Sequence, residues 1–483
     1  MGETTDELYC PKVGFHYIQL LSKGDLLNKY WEEHPDPPAV CNLVYGFFGQ
    51  FDVKGFTKNH EPIFTYDHDV TRLVSVTASS LAVVFLALFG WEYISPFVGV
   101  SGALIFSIIP TYLGLSQLVS QESLFILLYN SNLYFFMKFL SRPTGKRAFF
   151  TGVLFAIALM DKFTNVFLIP IFLLIAFVWY KVKKSSFSIS RKHIFLILLG
   201  IGLSVVIIWP SLLLHLKGIY LYEKGLRFSE PSSPWEWFLG RPVHVPAIYF
   251  TVQFLVRTPV LLLLFFVLAI EFRPKRNDWK LFLLLIWFCI PFLQSFYHYQ
   301  QQGIRYVSQV YAPFALIVAV GIEYLTTAFT KKPGYKLLVT LGVLLYLIFN
   351  LSKVSPYYLD YFNELVGGVK GVYKHQLFEI GWWGQGGKDA GDYIIAHAQP
   401  GSSVGYKLNP DFLIEFSDLL HYESFQKEKQ YDFVVTNYAH YLKLDYNNPE
   451  LLKDYDVIYH NYTLVHTTSV DSVPLYKVYK RKP

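Results

Sequence analysis

About ten largely apolar stretches follow one another between residues 70 and 351, and each is long enough, or nearly so, to cross about 30 Å of hydrocarbon as a helix. They lie at 70–90, 94–112, 120–140, 148–160, 163–180, 193–214, 251–272, 281–297, 306–329 and 335–351, separated by charged or Pro/Gly-rich turns. The 148–160 run is short, so it either enters the membrane only partly or forms a bent pair with its successor around Asp161 and Lys162. Residues that are 53% hydrophobic and only 16% charged exceed what a soluble domain carries. The continuous runs also exclude an outer-membrane barrel, whose strands alternate in segments of roughly ten residues. The expected fold is an α-helical polytopic membrane protein with about ten transmembrane helices.

Positive charge is retained on the cytoplasmic side of a membrane. The basic loops RPTGKR (142–147), KVKK with RKH (181–193), RPKRNDWK (273–280) and TKKPGYK (330–336) fall on one side if the runs alternate. Segments 1–69, 215–250, 298–305 and the tail from 352 then face the outside of the cell membrane. The net charge of +6 is explained by this anchoring, and no nucleic-acid partner is implied. Residues 1–20 hold neither a signal peptide nor a spanning helix, so the topology predicts a further helix ending just before Thr4, or else a short tail translocated without a signal. Cys10 and Cys41 both fall outside, where either a disulfide or two free thiols is consistent with the sequence; Cys289 lies inside a run.

The tail changes character. SSVGYK (402–407), YDFVVTN (431–437), DVIYHNY (456–462) and VPLYKVYK (473–480) read as strands, with a helix at 388–398 and helical turns near 411–421 and 449–453. Three regions are therefore expected: a first extracytoplasmic loop at 1–69, the spans at 70–351, and a small extracytoplasmic α/β domain at 352–483. The glycine-rich GQGGKDAGDY at 384–393 is a turn leading into a helix, and there is no metal-ligand spacing or nucleotide fingerprint.

Ionisable residues at membrane depth are costly and tend to line a cavity. Glu122, Asp161 and Lys162 sit near the outer ends of their runs, Arg305 opens the ninth, and Arg257 lies just inside the seventh. Each alone is equally compatible with snorkelling to the interface or with local pairing.

The order of these elements resembles the lipid-carrier-dependent C-fold (GT-C) membrane glycosyltransferases, the group of protein O-mannosyltransferases and aminoarabinose transferases. The resemblance is carried by the acidic pair Asp6-Glu7, Gly24-Asp25, HPDPPAV at 34–40, Glu122, MDKFT, RTPV at 257–260, IRYVSQVYAPF at 304–314, and SPYYLDYFNELVGGVKGVY followed by IGWWGQGGKDAGDYI. Departures are Asp36 inside the Pro-Pro element, Asp161 where a hydroxyl residue is usual before Lys162, and the absent first helix.

The resemblance implies a polyprenyl-phosphate-linked sugar as donor and a lipid, glycan or protein acceptor arriving from outside. Asp6 and Glu7 are the expected catalytic pair, Asp6 taking the acceptor proton, with inversion at the anomeric carbon. Lys162, Arg305 and Arg257 are expected on the donor phosphate. Glu122, His34 and Asp161 are expected on substrate. No cofactor is required, although a divalent metal bridging Asp6 and Glu122 is compatible with the sequence. The competing readings are a transporter or flippase of a lipid-linked substrate, and a non-catalytic scaffold.

Overall fold

The computed structural model describes residues 7–34, 39–58, 60–65, 68–182, 189–228, 236–273, 278–296, 303–330, 332–408, 420–446 and 448–483. Asp6 and Asp36 lie outside the described residues. Every predicted apolar run contains helix, but the runs are not ten uninterrupted spans. Among the described residues five helices are continuous, long and apolar enough to cross a membrane: Asp69–Tyr93, Phe163–Val182, Arg191–Ile208, Ile304–Phe329 and Gly334–Val354. Two more runs are bent pairs, Pro96–Ser107 with Pro110–Ser116 at 67° and Tyr249–Arg257 with Val260–Glu271 at 111°, which brings the number to seven if each pair is one span.

Proline explains both bends. It lacks an N–H and pushes the preceding residue into an extended conformation. Ile109 before Pro110 has ψ 127°, and Thr258 before Pro259 has ψ 129°. The break predicted at Asp161–Lys162 is also present, between helices Gly145–Leu159 and Leu168–Val182. The Gln121–Ser141 helix is unusually polar for its depth because it lies inside the bundle. Asn130 donates to the carbonyl of Ala82 and Asn132 to that of Leu154. Tyr311–Phe329 is almost wholly buried along its first three turns, whereas Arg191–Ile208 turns Ile194, Phe195, Leu198 and Ile207 outward.

Before the bundle, helices Tyr9–Lys23 and Ala39–Gly49 cross with their backbones touching at Gly14 and Gly46. A Cβ on Gly14 would fall 1.7 Å from the Asn42 carbonyl oxygen, so only glycine permits the approach. Cys10 and Cys41 face each other above this crossing, Sγ to Sγ 3.2 Å, as two buried thiols.

The tail folds into a five-stranded sheet in the order 421–424, 403–407, 433–437, 473–481, 462–470. The first two pairings are parallel and the last two antiparallel. Three predicted strands are present. DVIYHNY is instead the end of helix Pro449–Asn461: Asn448 caps it by accepting from the Glu450 N–H, and Tyr455 and Ile458 are buried three residues apart. The turn predicted at 411–421 lies almost entirely outside the described residues. Helix Gly387–His397 matches the predicted one and starts from Gly386 at φ 91°, where a side chain would be strained and would meet Thr468.

Candidate active site

Lys162 and Glu122 form the centre. Lys162 sits in the one-turn break after helix Gly145–Leu159, and Glu122 in the first turn of helix Gln121–Ser141. The Lys162 ammonium donates to Glu122 Oε1 at 3.1 Å, with both side chains almost fully buried. The positive end of the helix also favours a carboxylate there. The ammonium lies 4.7 Å from the ring centre of Phe125 and 5.3 Å from that of Tyr306. Asp161, beside Lys162, is fully buried, and neither of its carboxylate oxygens has a hydrogen-bond partner among the described residues; its carbonyl accepts from Gln121.

Arg305 approaches from the short 3-10 segment Ile304–Val310 that opens the Tyr311–Phe329 helix. Its guanidinium is framed by aromatic rings, 5.1 Å from Tyr306, 4.6 Å from Trp383 and 5.9 Å from Trp382. Tyr306 therefore touches both cations, and the fields of Lys162 and Arg305 both act on Glu122. The two tryptophans stack on each other with rings 5° from parallel. Such a frame suits a weakly hydrated planar cation.

The first loop is fastened to this centre. Glu7 is fully buried and accepts from Arg72 through both oxygens, at 2.9 and 2.8 Å, and from the Val119 N–H at 2.9 Å, just before the Gln121–Ser141 helix. A carboxylate gripped this way is a fixed anchor. Val40 N–H donates to Met160 O, and Tyr45 donates to Ser120 O. His34 lies farther out, its ring 4.5 Å from Tyr30 and its Nδ1 3.4 Å from the Tyr9 hydroxyl. Burial lowers its pKa and outweighs the opposing pull of Glu33, so the neutral imidazole is favoured.

Arg257 serves a different joint. Its guanidinium donates to Gln253 Oε1 and to Leu359 O, and stacks 4.2 Å from Phe362. Asn363 enters the break between helices Tyr249–Arg257 and Val260–Glu271, donating to Leu255 O and Thr258 O. Asp360 accepts from Gly381 N–H at 2.7 Å, and Leu359 packs on Trp383. Arg72, Tyr306, Asp360 and Asn363 thus shape the site although the sequence did not single them out for it; Trp383 joins them, one of several aromatics the sequence offered for covering a cavity.

Burial pushes Asp360 up to about 6, against the Gly381 N–H and the Arg257 charge. A carboxyl whose folded pKa lies above its ordinary 3.8 binds protons more tightly when folded, so its contribution is full at low pH and is lost as pH rises to about 6, on the order of 3 kcal/mol. Between these values the thermal inactivation midpoint is expected to fall with rising pH, and in Asp360→Asn this component disappears. An unchanged pH profile in the variant would refute the assignment.

Among the described residues no three His, Cys, Asp or Glu side chains converge as a metal site. Residues 58–209 match the dolichyl-phosphate-mannose-protein mannosyltransferase family. No protein of curated function matches the chain. Solved structures similar to it include ArnT from Cupriavidus metallidurans in the apo state, at 12% identity and TM-score 0.48, covering 99% of this chain and 93% of that one. ArnT bound to undecaprenyl phosphate gives 12% and 0.48, covering 98% and 93%. The apo oligosaccharyltransferase of Archaeoglobus fulgidus gives 11% and 0.46, covering 89% of this chain and 58% of that one.

Proposed function

We propose that this chain is a multi-pass membrane glycosyltransferase that moves a sugar from a polyprenyl-phosphate-linked donor to an acceptor hydroxyl on the extracytoplasmic side. The observation that carries the reading is the pair of buried cations, Lys162 and Arg305, joined through Tyr306 beside Glu122. The family match over residues 58–209 points the same way. A departing lipid phosphate accumulates negative charge, and fixed cations in a dry site stabilise it at no reorganisation cost during the reaction. Arg305 supplies a fork for two phosphate oxygens and Lys162 a point charge.

Asp6 takes the proton from the acceptor hydroxyl as that oxygen attacks the anomeric carbon opposite the phosphate, so the configuration inverts. Glu7, clamped by Arg72 and Val119, positions the segment that carries Asp6. Asp161 accepts a hydroxyl hydrogen bond from the sugar, which gives its buried carboxylate a partner. Glu122 holds Lys162, and Arg257 braces the segment before Trp383. His34 contributes a neutral imidazole on the acceptor side. Transport of a lipid-linked substrate is the second reading, favoured by the same unpartnered Asp161 at membrane depth.

Transfer of labelled sugar from a panel of polyprenyl-phosphate donors in reconstituted membranes separates them. Transfer present in the parent chain and reduced by about 10² or more in Asp6→Asn is the expected result. Absence of transfer from every donor, with label instead crossing the bilayer, would establish transport.

A further inference from the structure

The two cysteines of the first loop occupy matched positions. Cys10 is the second residue of helix Tyr9–Lys23 and Cys41 the third of helix Ala39–Gly49. Their sulfurs stand 3.2 Å apart, and a bond between them needs an approach of only about 1 Å. One turn further along, the backbones are locked at Gly14, Asn42 and Gly46, which leaves the helices no slack to carry the sulfurs apart. Tyr45, Ala78, Val119 and Leu124 enclose the pair, and among the described residues no third His, Cys, Asp or Glu joins them as a metal site.

We propose that Cys10 and Cys41 are a thiol–disulfide couple, and that its oxidation ties the segment carrying Glu7 to helix Ala39–Gly49. The oxidant is a protein or small-molecule disulfide: the two thiols lose two protons and two electrons as one S–S bond forms, and the oxidant's S–S bond becomes two thiols. The bond would enclose residues 11–40, His34 among them, and would sit three residues from the clamped Glu7. Burial, and then the contact with Cys10, push the Cys41 thiol up. Cys41 thiolate is therefore scarce once the helices are docked, and oxidation is followed until the adduct pattern stops changing.

The full chain in detergent is incubated with oxidised or with reduced glutathione, with diamide as a smaller oxidant in parallel. It is then quenched in acid, denatured and labelled with a polyethylene-glycol maleimide. Of the chain's three cysteines, one adduct, at Cys289, is expected after oxidation and three after reduction. Cys10→Ser and Cys41→Ser should each keep two adducts under oxidising conditions. The oxidised parent should also inactivate at a higher temperature than the reduced one, while the Cys10→Ser/Cys41→Ser double variant is indifferent to the treatment. Three adducts after both oxidants, or a parent whose inactivation temperature does not respond although the bond has formed, would overturn the proposal.

Discussion

Replacing Arg305 by alanine should lower kcat/KM for the sugar donor by about 10² to 10³, the cost of removing one preorganised donor from a developing oxyanion. The guanidinium is buried against Tyr306 and Trp383 and has little solvent to compensate for its loss. Arg305→Lys should recover only part of the rate. An ammonium keeps the charge but loses the planar fork and the stacking on the indole. The check is a donor titration in reconstituted membranes, with the folded fraction of each variant measured in the same preparation. A fully folded Arg305→Ala variant that turns over at the parental rate would remove Arg305 from the reaction.

The second large effect concerns stability and activity together. Lys162 and Glu122 are both almost fully buried at 3.1 Å, so neutralising either one strands the other. Breaking a buried pair from one side typically costs about 3 to 5 kcal/mol. Glu122→Gln and Lys162→Met are each expected to lower the yield of folded protein and the thermal inactivation midpoint sharply. The double variant Glu122→Gln/Lys162→Met removes both members of the pair, leaves Asp161 and Arg305 as the buried ionisable groups beside it, and should recover part of that loss. Its transfer activity should stay low, because the ammonium proposed to meet the donor phosphate is gone. Recovery of activity along with stability would show that the pair only holds the helices together.

The sequence signalled what was chemically anomalous in its surroundings. Lys162, Glu122 and Arg305 stand out because a charge in an apolar run has few reasons to be there. The positions of the helices were legible from the same apolar runs, and the bends at Pro110 and Pro259 follow from proline chemistry, although the angle of a bend depends on what packs into it. Tyr306 gave no signal, and Trp382 and Trp383 stood among several aromatics that could cover a donor cavity without the sequence selecting which, since 18% of the residues are aromatic and ring contacts depend on tertiary placement. Asp360 and Asn363 lie in a segment noticed only as a family-like block. Their partners, Gly381 N–H and the carbonyls of Leu255 and Thr258, are backbone atoms distant in sequence. DVIYHNY was ambiguous because β-branched and aromatic residues fit a strand as well as a half-buried helix face, and the capping Asn448 decided it.

The first loop and the tail share one mode of attachment. Val119 N–H, Met160 O, Leu255 O and Thr258 O are main-chain atoms of the bundle that receive Glu7, the Val40 N–H and Asn363. Main-chain donors and acceptors persist through nearly any substitution at their own positions. The bundle can therefore exchange the side chains at these sockets over evolutionary time without losing these contacts to the first loop and the tail. Divergence in what those elements recognise need not be accompanied by divergence in how they are held, and a loop exchanged between relatives should need only its few plug residues to seat.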